Sequence, residues 1–133
     1  MWKRLNLVVC IILVFVLNAK ESFGARLYQE KEYQEYWCNK YSGNAEVQLF
    51  DGTRVDCVLN DYAIEFDFAN KWAEAIGQSL YYGIILNKKS GIVLILENRE
   101  KDEKYLKRLL TVTNLHGIRV WIMTPSDLNC NIN

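Results

Sequence analysis

The segment Tyr62-Ala63-Ile64-Glu65-Phe66-Asp67-Phe68 places the tightest limit on what this chain can fold into. Side chains alternate along a strand, so Ile64, Phe66 and Phe68 share one face while Ala63, Glu65 and Asp67 share the other. Upstream, Ala45 to Phe50 alternates as a strand, Asp51-Gly52 is a strong hairpin signal, and Thr53 to Leu59 forms the returning strand. Asn60-Asp61 supplies a second turn. The three segments read as a meander with acidic residues on one side of its last strand.

Helical spacing brackets the meander. Tyr33, Tyr36 and Trp37 recur among charged residues between Tyr28 and Tyr41, the pattern of an amphipathic helix. Asn70 is expected to cap a helix that continues at helical spacing through Lys71 to Ile85, with Asn87 to Gly91 as its stop. Ile92 to Leu96 is a continuous apolar run of the kind found in a strand covered on both faces. A helix from Glu97 to His116 is expected to end at Gly117, and Ile118 to Met123 forms the last strand before Thr124-Pro125. The order α-β-β-β-α-β-α-β predicts an α/β fold with a mixed central sheet flanked by helices.

The front of the chain reads differently. Lys3 and Arg4 precede the apolar run Leu7 to Leu17, and the small residues Ser22 and Gly24 follow. Residues 1-24 are therefore expected to be a cleaved signal peptide, because eleven apolar residues fall short of the roughly 20 that span a bilayer. The expected product, 25-133, is one exported domain, periplasmic or secreted, with no membrane span after cleavage. Of 16 basic and 16 acidic residues, three and one lie in the leader, which leaves a mildly acidic remainder. That balance argues against a polyanion-coating protein, and no basic patch with interleaved aromatics is expected. Cys38, Cys57 and Cys130 remain, enough for one bridge and one free thiol; Cys38 is expected to join Cys57 if their backbones approach. Their spacing and the lone His116 match no zinc pattern.

Asp56 on the second strand and Glu65 and Asp67 on the third can meet on one face. Like charges in close array raise one another's pKa unless a cation separates them, and hard divalent ions prefer all-oxygen ligands. The plainer alternative is that these are solvent-facing residues of an edge hairpin. Lys71, Glu74, Gln78 and Tyr82 then form a polar stripe on the next helix, beginning four residues after Asp67.

Asp56, Glu65-Phe66-Asp67 and the helical Gln78-Ser79-Leu80-Tyr81-Tyr82 resemble the PD-(D/E)xK, restriction-endonuclease-like nuclease superfamily, and the QxxxY element is similar to that of its RecB-like branch. The block DGTRVDC…AIEFDFANKWAEAIGQSLYY is also similar to a group of short exported bacterial proteins. The resemblance implies a divalent-metal phosphodiesterase acting on DNA or RNA. It assigns Asp56 and Glu65, with the Phe66 carbonyl, to Mg²⁺ or Mn²⁺, and Gln78 and Tyr82 to support. The family lysine is replaced by Asp67, so Lys71 is the expected transition-state cation, Arg54 a second cation, and Glu46 a further shell residue. Loss of that lysine supports the alternative of a catalytically inactive nuclease-like module that binds a protein or nucleic acid in the cell envelope.

Overall fold

The computed structural model describes residues 25–129; the expected signal peptide and Cys130 lie outside them. Helix α1 (Glu30–Lys40) is followed by β1 (Asn44–Gln48), β2 (Arg54–Val58) and β3 (Tyr62–Phe68). A 3₁₀ turn (Ala69–Lys71) leads into α2 (Trp72–Leu86), then β4 (Lys89–Ile95), α3 (Arg99–His116), β5 (Arg119–Met123) and a short α4 (Pro125–Asn129). The five strands form one mixed sheet in the order β1-β2-β3-β4-β5. The first three are antiparallel neighbours, whereas β3, β4 and β5 run parallel.

Alternation on β3 decides the layers. Ile64, Phe66 and Phe68 join Val93, Ile95 and Met123 against Tyr33, Trp37 and Cys38 of α1. Ile92 and Leu94 point the other way, into a cluster with Ala75 of α2 and Leu109 of α3. Both crossover helices therefore cover one face and α1 covers the other, which is why β3 and β4 are almost wholly buried.

Three local expectations are corrected. Asn70 does not cap α2: the 3₁₀ turn intervenes, and its side-chain oxygen instead accepts a bond from Arg26 at 3.0 Å. Strand β4 begins at Lys89 rather than Ile92, because Asn87 in the left-handed region closes α2 in a single residue and the chain pairs with β3 at once. Helix α4 has no apolar periodicity; it starts where Asp127 accepts bonds from the Thr124 backbone and hydroxyl. The expected stop at Gly117 is present, with φ at +65°.

Cys38 and Cys57 form a disulfide that ties α1 to β2. Both are fully buried, and the bridge spans 19 residues of sequence. Constraining the unfolded chain over such a loop is worth about 3 kcal/mol. Cys38→Ser is expected to lower the unfolding free energy from urea titration by at least that amount relative to the oxidised protein, while the same substitution measured against reduced wild type should cost only the burial of one hydroxyl, about 1 kcal/mol.

Candidate functional site

Strands β2 and β3 part company where the acidic residues begin. Their register is held at Cys57↔Ile64 and Val58↔Ala63. Toward Arg54 the pairing stops, and the Phe66 N–H donates instead to Asp56 Oδ2 at 2.8 Å. A carboxylate thus replaces the ladder acceptor, which fixes Asp56 beside Glu65. The other side of the opening is held by Gln34 of α1. Its Nε2 donates to the Asp56 carbonyl at 2.6 Å and to Glu46 Oε1 at 2.7 Å, and the residue is 3% exposed.

Glu46 stands across from this opening with φ at +58°, a left-handed conformation that costs a non-glycine residue about 1 kcal/mol or more. Gln34 and Arg54, whose Nε lies 2.7 Å from Glu46 Oε2, occupy both of its carboxylate oxygens. A shallow depression lined by Glu46, Gln48, Gly52 and Arg54 opens beside that pair.

Glu65 and Asp67 are only 5% and 3% exposed, so the solvent-facing hairpin reading is overturned: they sit on the central strand of the sheet. Glu65 Oε2 and Asp67 Oδ1 are buried without a hydrogen-bond partner. Burial raises the Glu65 carboxyl first, Asp56 and then Asp67 raise it further, and together they bring it to about 10. Asp67 is pushed up to about 7, chiefly by burial and then by Glu30, while Lys71 pulls it down. Asp56 rises to about 6 through burial, against the lowering effect of the Phe66 N–H. Asp56 and Glu65 therefore share one proton near neutrality, held on Glu65.

The α2 stripe faces this group. Gln78 hydrogen-bonds the buried Tyr82 phenol, whose pKa is raised by burial and then by Glu65 and Asp56. Lys71 Nζ lies 3.7 Å from Asp67 Oδ1, and Arg54 is spent on Glu46. Among the described residues, neither cation makes an ion pair with Asp56 or Glu65. Glu30, at the first position of α1, completes the field: it raises Asp56, Glu65 and Asp67, and its own pKa is raised chiefly by burial.

Sequence reasoning missed Glu30 and Gln34. Positions 30, 34, 37 and 38 share one helical stripe, so the apolar Trp37 and Cys38 already marked which side of α1 faces the sheet. Extending that stripe backward by one turn and then another reaches both polar residues.

The acidic group can serve a divalent ion in one way only. Among the described residues no three His, Cys, Asp or Glu side chains gather into a metal cage. Magnesium does not need one, because it binds through one or two carboxylates and keeps several waters. Asp56 together with the unpartnered Glu65 oxygen fits that donor set.

No family model matches the chain, and no solved structure matches it. A curated protein similar to it is the putative KilA-N domain-containing protein L33 of Acanthamoeba polyphaga mimivirus, 33% identical over 94 residues. The match covers 71% of this chain and 37% of that protein. The chain thus spans a little over a third of the relative's length. No helix among the described residues is long and apolar enough to cross a membrane.

Proposed function

We propose that this protein is a divalent-cation-dependent phosphodiesterase of restriction-endonuclease-like fold, cleaving DNA or RNA in an oxidising compartment outside the cytoplasm. The observation that carries the reading is the buried Glu65 carboxyl beside Asp56: its Oε2 has no hydrogen-bond partner, and among the described residues neither carboxyl is paired with a cation. Two buried carboxylates side by side do not both ionise without a counter-charge, so the cation-free pair keeps a proton on Glu65, and a divalent cation would take that proton's place. Asp56 and Glu65 would hold Mg²⁺ or Mn²⁺, which supplies a polarised phosphate and a more acidic water. The strand opening, fixed by Gln34 and the Phe66 N–H, keeps Asp56 aimed at Glu65. Lys71 stays over Asp67, where its ammonium can neutralise charge on a phosphate. Gln78 and Tyr82 wall the site from the α2 side. The buried disulfide supports the oxidising compartment, since such bonds persist where thiols are not kept reduced.

The position of Lys71 favours a second reading, in which the ammonium only neutralises Asp67 and the module binds without cutting. One experiment separates them. Protein incubated with plasmid and with RNA is expected to cut when Mg²⁺ or Mn²⁺ is present and to stop on chelation. Asp56→Ala should reduce the rate at least about 100-fold. Calorimetry should show cation uptake with proton release, because Glu65 must give up its proton to bind. Cutting that survives in Asp56→Ala, or the absence of both cutting and cation uptake, would reject the phosphodiesterase reading.

A further inference from the structure

Away from the carboxylates, the fold assembles a surface that the linear sequence hides. Tyr41, the buried Trp37 and the partly buried Trp121 and Tyr62 form an aromatic row with ring centroids 4.3, 5.3 and 5.4 Å apart in succession, so that its two ends meet solvent on either side of the core indole of Trp37. Two cations cover its far end. The Arg119 guanidinium lies 4.8 Å from the Trp121 ring centroid and 5.7 Å from that of Tyr62, and Lys89 lies 5.8 Å from Tyr62. The members come from α1, β3, β4 and β5, four separate stretches of chain. The expectation that no basic patch interleaved with aromatics exists is therefore corrected.

The row is seated by a missing side chain. A Cβ on Gly91 would come 2.8 Å from the Trp121 ring, so only glycine on β4 lets the indole lie across the sheet toward Tyr62. Arg119 and Lys89 are exposed, and among the described residues neither has a carboxylate within ion-pair distance. Tyr41 is 47% exposed at the other end. Cations stacked on aromatic rings keep their outward N–H groups free for an acceptor, and their rotamers are already restricted.

We infer that this surface grips single-stranded nucleic acid, phosphates on Arg119 and Lys89 and a base on Tyr41. A ligand matching it must combine spaced negative charge with flat π faces, and duplexes keep those faces stacked away. Five residue steps along β3 separate Tyr62 from Asp67, about 17 Å of strand, and the two side chains lie on opposite sides of the sheet. The surface is thus distinct from the carboxylate group. The inference rests on the nuclease reading for its biological sense, since it names that site's substrate class, but binding is measured without cleavage.

The test is fluorescence anisotropy of a labelled oligothymidylate with the full protein in chelator. Lys89→Gln/Arg119→Gln is expected to weaken binding about tenfold and to flatten the salt dependence by about 1.4 in log–log slope, as two lost phosphate contacts require. Tyr41→Ala should weaken it about tenfold by loss of one stacked base. Arg99→Gln/Lys101→Gln makes the same charge change at exposed positions at the start of α3 and should leave the affinity intact. An equal loss in that control pair, or inorganic polyphosphate binding as tightly as the oligonucleotide, would overturn the inference. If Lys89→Gln/Arg119→Gln binds like wild type in a protein that cuts with Mg²⁺, this surface is excluded and the nuclease reading stands. If binding falls as expected in a protein that cuts nothing, the surface stands and the nuclease reading fails.

Discussion

Glu65→Gln is expected to raise the melting temperature of the cation-free protein and, in the same variant, to abolish Mg²⁺-dependent cleavage. At pH 7 the folded protein holds this carboxyl protonated, its pKa lifted from 4.5 to about 10, whereas the unfolded chain ionises it. Keeping that proton costs 1.36 kcal/mol for each unit between the unfolded value and the ambient pH, about 3 kcal/mol near neutrality. Glutamine has the same shape and never ionises, so the cost disappears. The amide must find its own partners, which leaves an expected gain of about 2 kcal/mol, or roughly 10 °C for a domain of this size. Cleavage should fall about 1000-fold, since the neutral amide cannot hold the ion. Calorimetric melting in chelator and a plasmid assay with Mg²⁺ read the two effects separately. A lowered melting temperature would mean that Glu65 has a partner glutamine cannot serve.

The same linkage fixes how wild type responds to pH. Asp67 and Asp56 have folded pKa values of about 7 and about 6, both above their unfolded value of 3.8. Below that unfolded value both states carry the proton and no penalty exists. As pH rises through the window up to about 7, the unfolded chain releases protons that the folded chain retains, so stability falls. Glu65 extends the fall further upward. Metal-free protein should therefore have a higher urea midpoint at about pH 5 than at about pH 8, the reverse of ordinary acid denaturation. Because Glu65 contributes from 4.5 upward, Glu65→Gln should make this slope shallower above that pH and remove what remains of it above about 7.

Much of this arrangement was legible because short-range rules govern it. The YAIEFDF alternation put Glu65 and Asp67 on one face, the Asp51-Gly52 turn paired β1 with β2, and Gly117 marked the end of α3. The stripe of Lys71, Glu74, Gln78 and Tyr82 faced the carboxylates as its periodicity required. What was not legible depends on contacts between distant segments. The parting of β2 from β3 has no local signature, because it follows from Asp56 taking over the Phe66 N–H. That Glu46 and Arg54 would neutralise each other, rather than serve the Asp56 pair, depends on Glu46 adopting a left-handed backbone that alternation cannot foresee. Burial of the acidic pair was underestimated for a related reason: a strand shows whether its faces differ, but not that two crossover helices will cover the polar one. The aromatic row escaped notice because its members are close only in space, with Gly91 as the silent requirement.

Lys71→Met should lower the cleavage rate about 100-fold and move its pH profile, and the second effect distinguishes catalysis from a surface ion pair. Lys71 is half exposed, so its contact with Asp67 adds well under 1 kcal/mol to stability, and the variant should fold normally. Its importance is positional. An ionised Asp67 holds the ammonium above the site, while a protonated one releases it, so the rate of wild type should rise with pH as Asp67 ionises near about 7. Methionine removes the cation that pulls Asp67 down, which leaves burial and Glu30 unopposed and raises the carboxyl further. With no ammonium left for Asp67 to hold, however, the residual activity should lose the acid limb near about 7, and Asp67→Asn should lack that limb as well. Arginine at position 71 keeps a permanent charge and should restore part of the rate. A Lys71→Met protein with wild-type rate and profile would reduce the lysine to a neutralising neighbour of Asp67, leaving the binding module as the better account of the fold.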